Sequence, residues 1–159
     1  MNASRKFLLF SVASWCSLVI APPLAAGVGM QDLASVMYRF FSHVCHQYDS
    51  HSFHLLGMKL GVCIRCSSIY FGFLGGVLAA GMLPDAHRRR FTAPFLVAML
   101  PMVLDVTLDV LGIHSSNDVT RAVSGLVFGS ASGVLLTPYL VEGFAQCFEL
   151  VKGIRHAKT

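Results

Sequence analysis

Four stretches of this chain, residues 7–26, 67–83, 91–111 and 119–141, are apolar almost without interruption. The first two contain no Lys, Arg, Asp or Glu; the third contains only Asp105 and Asp109, and the fourth only Arg121. A helix crossing a bilayer needs about 20 apolar residues, with a range of roughly 17–25, and all four runs meet that length. The runs are continuous rather than alternating, which predicts helices and not barrel strands. The expected fold class is therefore all-α: an integral membrane four-helix bundle, one domain over residues 1–159. Charged residues make up 13% of the chain, about half the share of an ordinary soluble protein. The basic residues sit in clumps between the apolar runs, which excludes a nucleic-acid-binding module. The partner implied is the lipid bilayer, with homo-oligomerisation left open.

Those clumps also give an orientation, because Lys and Arg gather on the cytoplasmic side. Arg5 and Lys6 precede the first span, Arg88, Arg89 and Arg90 separate the second and third, and Lys152, Arg155 and Lys158 follow the fourth. A multi-pass protein of the inner cell membrane is expected, with both termini cytoplasmic. Residues 27–66 and the short turn at 114–118 should then face outward. The first span has a rival reading as a signal peptide ending at Leu24-Ala25-Ala26. Its apolar run is longer than a usual signal core, so an uncleaved helix is expected.

Small residues let membrane helices approach closely. Gly125, Gly129 and Gly133 form one stripe and Gly72, Gly76 and Ala80 another, so the second and fourth spans should pack together. Arg121 stands one turn before Gly125 on the same face and should point into the bundle. In the outward segment, Met30, Leu33, Met37, Phe40, Phe41 and Val44 recur at helical spacing opposite Asp32, Ser35, Arg39 and Ser42. That pattern predicts an interfacial helix lying on the outer leaflet.

This helix leads into a Cys/His-rich loop: Cys45-His46-Gln47, then His51 and His54, then Cys63-Ile64-Arg65-Cys66. A Cys-x-x-Cys pair lets two sulfurs reach one tetrahedral ion, so Cys63 and Cys66 are half of a zinc site. Cys45 is the candidate third thiolate, and His46, His51 or His54 the fourth ligand. A second reading is a thiol–disulfide oxidoreductase using Cys63 and Cys66 with a membrane quinone, since Cys66 opens a helix whose dipole activates a thiol. A third is a structural disulfide.

Charges inside spans are functional candidates by default. Asp105 and Asp109 share one helix face, as do Asn117 and Arg121, and all lie toward the outward end. A catalytic set would use a metal-activated water, a carboxylate as base and Arg121 to hold the phosphate or carboxylate of a lipid-linked substrate. The bland alternative has Asn117 capping its helix, with Ser115 and Ser116 before it, and an aspartate neutralising Arg121. In either case Arg121 should lie within ion-pair reach of Asp105 or Asp109, beneath the cysteines. Enzyme, scaffold and transporter subunit all remain open.

The run from Phe41 through Cys45-His46-Gln47, Ser52-Phe53-His54, and Cys63-Ile64-Arg65-Cys66 to Ile69-Tyr70-Phe71-Gly72 resembles the domain-of-unknown-function 2085 family. These are small prokaryotic membrane proteins marked by Cys-His-Gln and by Cys-x-Arg-Cys followed by Ile-Tyr-x-Gly. The resemblance extends to Asn117, Arg121 and Gly125. It departs at His51, where an Arg is expected, and at Ser67-Ser68, where a Gly is usual. It implies a membrane fold and a cysteine site, and no reaction.

Overall fold

A computed structural model describes residues 3–83, 92–113 and 117–156. These described residues form five α-helices: α1 (Ala3–Gly27), α2 (Gln31–Phe41), α3 (Ile64–Ala80), α4 (Thr92–Val110) and α5 (Asp118–His156). Between α2 and α3 come a 3-10 turn (Asp49–His51) and a hairpin of β1 (His54–Leu55) and β2 (Met58–Lys59). The clump at residues 88–90, the serines 115 and 116 and the turn at His114 lie outside the described residues. Three described helices are long and apolar enough to cross a membrane: Ala3–Gly27, Ala93–Val110 and Asp118–Val151. The fourth expected span, α3, is apolar but only 17 residues long.

Helix ends depart from the hydropathy limits for identifiable reasons. Cys63 is extended at φ −65°, ψ 166° and caps α3, which starts it three residues before the uncharged run. Past Val141 the bilayer-like composition ends, yet α5 runs on to His156. Glu142, Ala145, Gln146, Glu149 and Leu150 are good helix formers, so nothing stops the helix where it leaves lipid.

The packing centre is the seam between α3 and α5, where the two small-residue stripes meet as expected. A Cβ on Gly72 would stand 2.6 Å from the Leu126 carbonyl, and one on Gly125 2.8 Å from the Arg65 carbonyl. Gly76 abuts Ser130, and Gly129 abuts Ile69. Backbone thus touches backbone, which only glycine permits. Helix α1 covers one side: Trp15 stands edge-on to Tyr70 and to Phe41, both at 5.7 Å. Phe7 makes edge contacts with Phe144 at 5.1 Å and Phe148 at 5.7 Å. Helix α4 is the outlier. It packs chiefly on α5, through Phe95 and Phe128, and no residue of Ala93–Val110 is buried.

Residues 27–63 fold over one end of this bundle. Helix α2 is amphipathic as expected, burying Ala34 and Phe41 and exposing Leu33, Val36 and Phe40. The hairpin turns through Leu56 (φ 55°) and Gly57 (φ 78°), the left-handed pair that a two-residue hairpin favours.

Candidate metal centre

Cys45 follows α2, Cys63 caps α3 and Cys66 lies in its first turn. Their three sulfurs fall within 4.8 Å of one another, and all three residues are free thiols. Cys45 and Cys63 are buried with Val19, Phe41 and Val62, and Trp15 and Tyr70 pack against the group. The Cys63 N–H donates to the Cys45 sulfur at 3.2 Å. Hydrogen bonds from the Cys63 and Cys66 side chains, aided by the backbone N–H groups of Cys63 and Gln47, hold the Cys45 thiol well below the ordinary range. The same pairing with Cys45 pushes the Cys63 thiol up. Three clustered sulfurs in an apolar shell suit a soft or borderline ion such as zinc.

Gln47 holds the two cysteine segments together. Its backbone is left-handed at φ 51°, and its Nε2 donates to the Tyr38 carbonyl at 2.9 Å and the Gly61 carbonyl at 2.7 Å. Lys59 Nζ donates to the Gln47 carbonyl at 2.8 Å, and the Tyr38 hydroxyl to the Lys59 carbonyl at 2.5 Å. The Gly61 N–H bonds to the Val19 carbonyl of α1 at 3.0 Å. The loop before Cys63 is thus pinned to α1, α2 and the Cys45 turn at once.

The expected histidine ligands stand elsewhere. His46 stacks on Tyr48 at 4.6 Å, and its Nδ1 accepts the Tyr48 N–H at 3.1 Å. His51 faces the His46 ring edge-on at 6.4 Å. His54 Nε2 lies 3.4 Å from an Asp49 carboxylate oxygen. Among the described residues, the converging donors are Cys45, Cys63 and Cys66, with no histidine. Both His46 and His54 are solvent-exposed: each follows the local turn and finds its partner within five residues rather than turning toward the sulfurs.

Arg121 is buried and reaches Asp109 at 3.0 Å, as the sequence leads one to expect. Arg65, between Cys63 and Cys66, lies 2.5 Å from Asp105 and 3.7 Å from Asp109. Two arginines from α3 and α5 thus hold two carboxylates from α4. Arg65 is the residue that sequence reasoning missed, since its partners lie 40 and 44 positions away and nothing in one dimension pairs them. Asn117 takes the bland role: its side-chain oxygen accepts the Thr120 N–H at 2.8 Å and caps α5.

A family model described as "Predicted membrane protein (DUF2085)" matches residues 45–135. The chain belongs to this family. The DUF2085 match opens at Cys45 and takes in the three cysteines, both arginines, both aspartates and the whole glycine stripe. An uncharacterised protein of Methanocaldococcus jannaschii is 28% identical over 108 residues, covering 67% of this chain and 69% of that one. An uncharacterised protein of Methanothermobacter thermautotrophicus is 30% identical over 95 residues, covering 60% and 86%. No solved structure matches the chain.

Proposed function

We propose that this is a four-span inner-membrane protein whose outward cap is held by a zinc ion on Cys45, Cys63 and Cys66. The observation that carries the reading is the convergence of three sulfurs, from segments 18 residues apart, within 4.8 Å. A disulfide needs two sulfurs; a tetrahedral ion uses three and takes one further donor. His46, adjoining Cys45, is the first candidate for that donor and His54 the second. Helix α3 crosses with the others because it is matched along its length to α5. The four charged groups beneath the cap serve to hold α4. Both carboxylates are taken up by guanidinium groups at 2.5–3.0 Å, which argues for holding over general-base catalysis. Action on a lipid-linked or phosphorylated substrate would require Arg65 or Arg121 to exchange its aspartate for the phosphate.

Metal analysis of protein purified without chelator, with thiols counted in parallel, tests the proposal. One zinc per chain with three protected thiols is expected. A reducible Cys63–Cys66 bond without metal would overturn it in favour of quinone-linked thiol exchange, which the place of Cys66 in the first turn of α3 also accommodates.

A further inference from the structure

We infer that the thiol site and the docking of α4 are one coupled unit linked by Arg65, so that metal loading tightens α4 against the bundle. The inference rests on the metal reading above and assigns that site a regulatory consequence. Arg65 stands between two of the three ligands, and its carbonyl lies against Gly125 across the α3–α5 seam. From that position its guanidinium reaches out to Asp105 and Asp109 on α4.

Little else holds α4. None of its residues from 93 to 110 is buried, and two open apolar grooves are lined jointly by α4 and α5. One, of about 270 Å³, is lined by Met102, Val106 and Phe128; the other, of about 400 Å³, by Ala98, Leu126 and Ala131. Lipid tails are as apolar as these side chains, so no hydrophobic force presses α4 onto α5. The charges do so instead. An unpaired carboxylate in hydrocarbon is expensive, which keeps Asp105 and Asp109 where the two arginines are. Arg121 is anchored in α5, independently of the cysteines. Arg65 is not: gathering Cys63 and Cys66 onto one ion fixes the turn that carries it, and releasing the ion loosens that turn and its hold on Asp105. Linkage makes the effect reciprocal, so α4 must in turn strengthen metal binding.

Two measurements on the full chain in detergent test this, with zinc ion as the probe. Hydrogen exchange across residues 92–110 of the unaltered protein should slow at least about fivefold on zinc loading. In competition with a chromophoric chelator, Asp105→Asn should bind zinc about 5- to 100-fold more weakly. Glu142→Gln removes a carboxylate 21 residues along α5 from Arg121 and should bind as the parent does. Zinc held on three protected thiols with α4 exchange unchanged would overturn the coupling and leave the metal reading standing. A parent protein that binds no zinc would overturn both.

Discussion

Gln47 spends both hydrogens of its side-chain amide on backbone carbonyls, one at the end of α2 and one just before Val62 and Cys63. Gln47→Ala strands the Gly61 acceptor, at about 1–3 kcal/mol for a buried group left unsatisfied, and takes one of two donors from the Tyr38 carbonyl, which keeps the Ser42 N–H at 2.9 Å. Gln47→Glu keeps the shape but offers no donor, so it should destabilise about as much as alanine; a thermal melt of the zinc-loaded protein checks both. Under the proposed metal reading, cysteine replacement acts on the ion rather than the loop. Cys45→Ser, Cys63→Ser or Cys66→Ser should each cut bound zinc to a small fraction of the parent's and lower the melting temperature, because binding energy at such a site is folding energy. Parent-like zinc content in any one of the three would remove that residue from the ligand set. The cysteines were legible in the sequence because thiols at Cys-x-x-Cys spacing have few other uses. Gln47 was not, since a glutamine amide bonding two carbonyls looks in one dimension like any polar loop residue. The histidines were less legible for the converse reason: their proximity in sequence to Cys45 says nothing of ring direction, which Tyr48 and Asp49 set locally.

Between elements, the α3–α5 seam and the α4 charges fail in different ways. Gly76→Ala would drive a methyl into the Ser130 carbonyl, and Gly129→Ala one into Ile69, where backbone must move to make room. Each should cost about 1–3 kcal/mol as an overpacked contact. Gly75→Ala meets nothing within 4 Å and should be silent. Melting curves of the three variants distinguish a seam from a mere run of small residues. On α4, the shorter distances sort the four charges into Arg65 with Asp105 and Arg121 with Asp109. Replacing Arg121 or Asp109 alone by Leu unbalances the clasp and should destabilise by up to the about 3–5 kcal/mol of a buried pair broken on one side. Replacing both by Leu leaves Arg65 with Asp105 intact and should recover most of that loss. Replacing Arg121 and Asp105 instead leaves Arg65 and Asp109 at 3.7 Å and should recover less. The seam could be read from the sequence because glycine spacing is a one-dimensional signal of helix contact. The Arg121–Asp109 pair could be anticipated from depth alone. The clasp by Arg65 could not, because it depends on how the cysteine loop folds back over the bundle.

At the scale of the whole molecule, contacts sort the described chain into two ends. At one, the Arg5 guanidinium lies against Gly81, in the space a Cβ there would fill, and Phe7 meets Phe144 and Phe148. That end therefore gathers the start of α1, the close of α3 and the second half of α5. At the other end sit α2, the hairpin, the cysteine cluster and the arginine–aspartate clasp. The sequence places eight of its twelve Lys and Arg residues on the first end or in the segments leading from it: Arg5, Lys6, residues 88–90, Lys152, Arg155 and Lys158. Short basic flanks stay in the cytoplasm. Under the proposed four-span crossing, the two-ended packing ties the sides together: a cytoplasmic basic flank puts the cysteine cap outside. A reporter fused after Arg90 or after Thr159 should therefore read cytoplasmic, and one fused after Met30 external. Helix α1 also supplies the Val19 carbonyl that anchors Gly61 beside the site, so α1 should be retained, and a peptide containing Val19 should be recovered from the purified protein. An external reading after Thr159 would reverse the cap into the cytoplasm. There thiols stay reduced without a metal, and the zinc would have to be explained by something other than protection from an oxidising face.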